Sequence, residues 1–238
     1  MDDKGLKLAN PAPLGLLGFG MTTVLLCLYF AEIIELTVVI GAMMFALGGT
    51  AQLIAGAFEL KQGNTFGGTA FSAFGCFWWS LAVILTNPLD LMDESDEMSM
   101  GFYLALWGVF TLFMFIGTLK HNRALQVVFL SIAIVFFGLA TAEFTGIEMI
   151  RVVSGFIGVF GGGAAMYTSL GTMLKVEYGR EILPLDVRKK DDAGKAAAGK
   201  AVADKTADKK EAAGKVEKME KAEKAEKTEE DETKKGPH

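Results

Sequence analysis

Gln52 is the residue of this chain whose chemistry is hardest to account for by packing alone. Its amide asks for several hydrogen bonds, and it stands between Gly48, Gly49 and Gly56 in a stretch, 36 to 58, without a single Asp, Glu, Lys or Arg. Lining a polar path and bonding one helix to another are equally good readings of it. Thr22, Thr23, Thr69, Ser72, Gln126 and Ser131 lie in similar charge-free stretches. A Ser or Thr hydroxyl can bond its own helix, which is the simpler reading of those residues. Other reactive groups are few. The chain has two His, His121 in a short charged turn and His238 at the terminus, and two Cys, Cys27 and Cys76, inside apolar runs. No metal site, cofactor site or disulfide framework is expected from that inventory, and the chain does not read as an enzyme.

The elements that hold these residues are set by where the charges fall. The last 50 residues, 189 to 238, contain 14 Lys and 13 acids, which leaves nine basic and fifteen acidic side chains for the first 188. Those separate six charge-free stretches, 8–31, 36–58, 62–89, 98–119, 124–142 and 152–174. About 20 residues at 1.5 Å rise cross a hydrocarbon core of roughly 30 Å, so the expected fold is an all-α membrane protein, a bundle of six transmembrane helices in the lipid bilayer. The first run is followed by five more and reads as a retained span, not a cleaved leader. The net charge of −5, mixed in sign, offers no basic face for nucleic acid.

Lys4, Lys7, Lys61, Lys120, Arg123, Lys175 and Arg180 flank one side of the spans, and loops one and three carry no Lys or Arg. Basic residues stay cytoplasmic, so both termini are expected inside a multi-pass plasma-membrane protein. The third loop, with Asp90, Asp93, Glu94, Asp96 and Glu97, would face outward. It reads as a solvated acidic loop that would repel anions only within a Debye length of about 8–10 Å. The chain divides into a transmembrane domain, 1–188, and an Ala/Glu/Lys-rich cytoplasmic tail, 189–238. The tail places Glu217, Glu220 and Glu223 four residues before Lys221, Lys224 and Lys227. Each such pair adds only about 0.2–0.5 kcal/mol to a helix, and with no apolar stripe the tail is expected to be disordered or marginally helical.

Small residues recur at packing intervals: Ser154, Gly158 and Gly162 in the sixth span, and Ala42, Ala46 and Thr50 in the second. In lipid that spacing lets backbones approach and predicts a compact bundle with narrow spaces between helices. Two junctions look like helix starts on the same side. Asn10-Pro11-Ala12-Pro13 places an N-cap before a proline at the first helical position, and Gly63-Asn64-Thr65 repeats the capping asparagine before the third span. Helix N-termini favour anions, so the pair suggests an anion vestibule, although capping alone explains either junction. Glu59, which closes the second span, reads as an interfacial glutamate or a proton relay.

The runs NPAPLGLLGFGMTTVLL from Asn10, AQLIAGAFELKQGNTFGGTAFSAFGCFW from Ala51 and YLALWGVFTLFMFIGTLK from Tyr103 closely resemble the acetate uptake transporter family, which includes the succinate-acetate permeases. The similarity spans residues 8–185, leaves out the tail and includes the family's NPAPLGL signature unaltered. It implies a six-helix protomer related to the acid-activated urea channels and assembled as a homohexamer, with a pathway for acetate, and less well for succinate or other small carboxylates, through each protomer. Coupling to protons is proposed for several members. The family's constriction, a Phe, a Tyr and a Leu from the first, third and fifth helices, falls on Phe19, Phe74 and Ile132. Phe74 lacks the tyrosine hydroxyl and Ile132 is β-branched, so a drier and stiffer gate is expected. From the polar groups and caps read above, Asn10, Thr22, Gln52, Asn64 and Thr69 are the candidates for substrate contact.

An isolated charge at bilayer depth costs roughly 3 to over 10 kcal/mol, and desolvation raises a carboxyl pKa. An acid crossing such a ring therefore travels more cheaply with a proton. Three readings follow: a proton-coupled carrier, a passive hexameric channel for acetate or acetic acid, and a non-transporting scaffold or sensor that works through its tail.

Overall fold

A computed structural model describes residues 8–87 and 95–185. The charged tail, with the expectations for its disorder, helix pairs and domain boundary, lies outside the described residues, as do Asp90, Asp93 and Glu94 of the third loop. Six helices are long and apolar enough to cross a membrane: α1 (Ala12–Phe30), α2 (Val38–Lys61), α3 (Thr65–Thr86), α4 (Glu97–Thr118), α5 (Arg123–Thr145) and α6 (Glu148–Tyr178). No strand occurs among the described residues. Each helix overlies one of the six charge-free stretches. The sixth is longer than its stretch: 31 residues, about 46 Å at 1.5 Å per residue. Its ends carry Glu148, Arg151, Lys175 and Glu177, so charged turns extend the helix past the apolar run at both ends.

α1 packs chiefly on α6, α2 on α3, α4 on α5 and α5 on α6. The small-residue stripe of α6 explains the first contact. A β-carbon added at Gly162 would lie 2.8 Å from the Gly20 carbonyl oxygen, and one at Gly20 would lie 2.7 Å from the Gly162 carbonyl oxygen. Gly155 and Gly158 meet the backbone of Phe30 and Ala31 and the Cys27 side chain in the same way. Ser169 Oγ closes the end of the pair nearest the start of α1 by donating to Pro13 O at 2.6 Å. The segment after α6 folds back along it, with Tyr167 Oη donating to Pro184 O at 3.0 Å and Ala124 N to Leu185 O at 3.2 Å.

The connections are short because their residues permit sharp reversals. Gly146 sits at φ +67°, a left-handed conformation open to glycine, and ends α5 one residue before the cap of α6. Asp96 starts α4 by accepting from Ser99 N at 2.9 Å and Ser99 Oγ at 2.6 Å. The Ser99 hydroxyl and then its amide hold the Asp96 carboxyl below its ordinary pKa. A depressed carboxylate contributes stability above its unfolded pKa and loses it as pH falls through the folded value. The thermal-midpoint gap between wild type and Asp96→Ala should therefore be full near neutrality and close on acidification below about pH 4; a gap that persists in acid would show that the carboxylate is not its source.

α2 departs from the regular helix its sequence suggests. Its middle, Met44–Ala51, is wound as a π-helix. The wider turn frees the Phe45 carbonyl, which accepts from Thr50 Oγ1 at 2.8 Å and from Trp79 Nε1 of α3 at 3.2 Å. Gly18 of α1 makes room for the bulge, since a β-carbon there would lie 2.6 Å from the Leu47 carbonyl oxygen.

Candidate functional site

Two cavities lie end to end within the bundle. The first, about 240 Å³, opens toward Ser95, Glu97, Glu143 and Arg151, and the second, about 160 Å³, toward Glu59, Asn64, Phe66 and His121. Phe19 and Ile132 line both, so these two side chains stand between them. Phe74 lines the second and packs on Phe19 with ring centroids 5.2 Å apart. All three are buried. They come from α1, α3 and α5, and an aromatic cluster holds them. Phe74 lies within 6.5 Å of the rings of Phe77, Trp107, Phe110, Phe129 and Phe136. Aromatic pairs at such separations each add roughly 0.5–1.5 kcal/mol beyond burial, so the ring at position 74 is fixed by its surroundings.

Polar groups are placed beside this aromatic girdle. Gln52 is 1% exposed and lines the second cavity, and its Oε1 accepts no hydrogen bond among the described residues. Thr23 and Trp78 line the first cavity, and Thr23 Oγ1 and Trp78 Nε1 likewise have no partner there. Thr22 Oγ1 is also unpartnered, but Thr22 borders neither cavity. It packs instead against Gly48 of the π-helical segment, as does Trp78. Buried polar groups are normally satisfied, so these four atoms set this zone apart. Ser131 behaves as its simpler reading expects and donates to Val127 O at 2.7 Å. Gln126 ties the α4–α5 turn, donating to Thr118 O at 3.3 Å and His121 O at 3.2 Å.

The two capping asparagines differ. Asn10 Oδ1 accepts from Ala12 N at 3.0 Å, while Pro11, already helical at φ −82° and ψ −15°, stands at the assigned cap. Asn10 is exposed and borders neither cavity; Thr69, on an exposed face of α3, also borders neither. Asn64 caps α3 as expected, accepting from Gly67 N at 3.1 Å, and its Nδ2 donates to Glu59 Oε2 at 2.6 Å. The Glu59 carboxylate is buried against the first turn of α3, 3.0 Å from where a Gly67 β-carbon would lie. The helix N-terminus that the sequence offers to an incoming anion thus already faces a resident carboxylate, an arrangement the helix dipole favours. Asn64→Ala should cost about 1–2 kcal/mol through the lost cap, read as a lowered thermal midpoint in detergent. Asn64→Asp, which sets a second carboxylate against Glu59, should cost more; a midpoint equal to that of the Ala variant would show that the two side chains do not repel.

Sequence reasoning did not single out Trp78, nor the ion pair at the mouth of the first cavity, Arg151 Nη2 to Glu143 Oε1 at 3.4 Å. Those two residues are eight apart, a spacing without meaning until Gly146 turns α5 back into α6. His121 lies in the charged turn where the sequence places it, and its ring also stacks on Phe66, centroids 4.9 Å apart, at the rim of the second cavity.

The profile of the GPR1/FUN34/yaaH family matches residues 3–179, across all six helices and the walls of both cavities. The chain belongs to that family. Within the GPR1/FUN34/yaaH family it is 49% identical over 180 residues to the succinate-acetate/proton symporter SatP of Escherichia coli strain K12, covering 75% of this chain and 96% of that protein. It is 36% identical over 183 residues to acetate permease A of Emericella nidulans, covering 69% of this chain and 61% of that protein. The solved structure of the bacterial acetate channel SatP is similar with a TM-score of 0.74 at 49% identity, over 75% of this chain and 99% of that one.

Proposed function

We propose that this protein moves acetate, and less readily succinate and other small carboxylates, across the plasma membrane through the two cavities and past Phe19, Phe74 and Ile132. The observation that carries the reading is that the cavities meet at Phe19 and Ile132, with charged side chains only toward their far ends. Such a path admits a small solute, and its apolar waist penalises a bare carboxylate by several kcal/mol. Desolvation there favours the protonated acid, so a proton accompanies acetate without a titrating side chain at mid-depth. Gln52 on one side of the waist and Thr23 on the other offer unpartnered groups to the carboxyl as it arrives and leaves. Asn64 acts on the pathway by positioning Glu59, and Asn10 by starting α1.

The Lys and Arg distribution supports cytoplasmic termini. In that orientation the second cavity, at the Lys61 and Lys120 end, faces the cytoplasm, and the first faces outside. Only 28% of the span window of α4 and 33% of that of α6 are buried within the protomer, against 50% for α1, α3 and α5. This leaves two apolar helices with area for lipid and for the neighbours of a homohexamer.

Labelled-acetate uptake by the full chain in proteoliposomes tests the proposal, with pH gradient and voltage imposed separately and protein-free liposomes correcting for leak of acetic acid. Protein-dependent uphill accumulation driven by the pH gradient supports movement with a proton, as symport or as acetic acid; flux that follows voltage and ignores the pH gradient supports a passive channel for the anion. Flux no greater than in protein-free liposomes would remove both.

A further inference from the structure

We infer that Arg151 captures the substrate's carboxylate at the outer mouth, and that Glu143 holds the guanidinium until substrate displaces it. The inference rests on the transport reading and adds the group that recognises the anion before its water is stripped. Among the described residues Arg151 is the one cationic side chain that lines the first cavity, whose floor is Phe19 and Ile132. Its surroundings are acidic: Glu97 and Glu143 share the lining, and Asp96 caps the helix beside it. An approaching acetate therefore meets repulsion except where Arg151 offsets it, over the short range that salt leaves unscreened.

The ion pair is built to exchange. Its contact, 3.4 Å, is longer than the 2.7–2.9 Å usual for a charge-assisted bond, and a guanidinium can grip a carboxylate through two parallel bonds. Among the described residues its five N–H donors find only the Glu143 carboxylate, and the side chain is 38% exposed against 18% for Glu143. Replacing one carboxylate by another conserves the interaction type, so releasing Glu143 is largely offset when substrate binds. Both partners are anchored on the α5–α6 turn, so the exchange needs only side-chain movement.

The test is acetate uptake by proteoliposomes as a function of external acetate. Arg151→Gln should raise the half-saturating concentration about tenfold, the scale of a lost charge-assisted bond, with the maximal rate within about twofold of wild type. Arg151→Lys, which keeps charge and loses the fork, should recover part of the loss. Glu143→Gln, which frees the guanidinium, should lower half-saturation by about two- to fivefold, the scale of a partly exposed ion pair. Unchanged half-saturation in Arg151→Gln overturns the inference. If that variant does not reach the membrane, an unchanged or raised value in Glu143→Gln overturns it instead. Wild-type liposomes inert toward acetate would remove the transport reading itself, whereas active wild type with indifferent variants removes only the role of Arg151.

Discussion

Ile132→Ala is expected to join the two cavities and to raise the ratio of lactate to acetate uptake by about tenfold or more, since each methylene of fit in an apolar pocket discriminates by roughly 10- to 200-fold. Ile132 stands in the wall common to both cavities together with Phe19, so its shortening opens the waist from both sides. A second effect accompanies the first: truncating a buried Ile costs about 2–5 kcal/mol, and the thermal midpoint should fall accordingly. Phe74→Ala should also widen the waist, but Phe74 touches six aromatic rings, and its loss, about 3–5 kcal/mol, will compromise folding more. The two variants thereby separate gate width from stability. A lactate-to-acetate ratio at the wild-type value in both, with acetate uptake intact, would place the narrowest point elsewhere.

The six spans could be located from the sequence, while the polar surroundings of Phe19 and Ile132 could not, for a physical reason. Six spans were legible because burial of charge in lipid is costly enough to exclude Asp, Glu, Lys and Arg from each, and that exclusion survives in one dimension. Gln52 was conspicuous for the same reason. The π-helical winding of Met44–Ala51 leaves no comparable mark, because it changes the turn by one residue in a run where almost every side chain is apolar. That winding brings Gly48 against both Trp78 and Thr22. It sets Thr22, whose hydroxyl the simpler reading assigns to its own helix, beside Trp78 in an unsatisfied zone. Glu59 and Asn64 were each noticed, as an interfacial acid and as a cap, but their 2.6 Å bond depends on the left-handed Gly63, φ +78°, between them. The pairing sets a carboxylate of the chain's own at that helix end. Arg151 and Glu143 show the same limit: a charge pair across a turn is set by the turn's geometry, to which residue type contributes only the glycine.

Gly162→Ala should reduce both stability and acetate uptake, whereas Gly163→Ala, one residue away, should not. A β-carbon at Gly162 would meet backbone on α1, 2.8 Å from Gly20 O and 3.0 Å from Val24 N, and no rotamer change relieves a backbone clash. A β-carbon at Gly163 would meet nothing within 4 Å. Both substitutions gain helix propensity, about 0.8–1 kcal/mol for Ala over Gly, so their difference isolates the contact. Overpacking costs about 1–3 kcal/mol, which leaves Gly162→Ala destabilised by up to about 2 kcal/mol net, and Gly163→Ala neutral or stabilised. The effect on transport follows from what α1 carries. Phe19 lies one residue before Gly20, so a helix pushed off α6 moves the ring that stands between the cavities. Thermal unfolding in detergent and labelled-acetate uptake, measured on both variants, are the paired readouts. Equal behaviour of the two would mean that the α1–α6 contact gives way without strain, and that the position of Phe19 is set by its aromatic neighbours on α3 and not by the glycine seam.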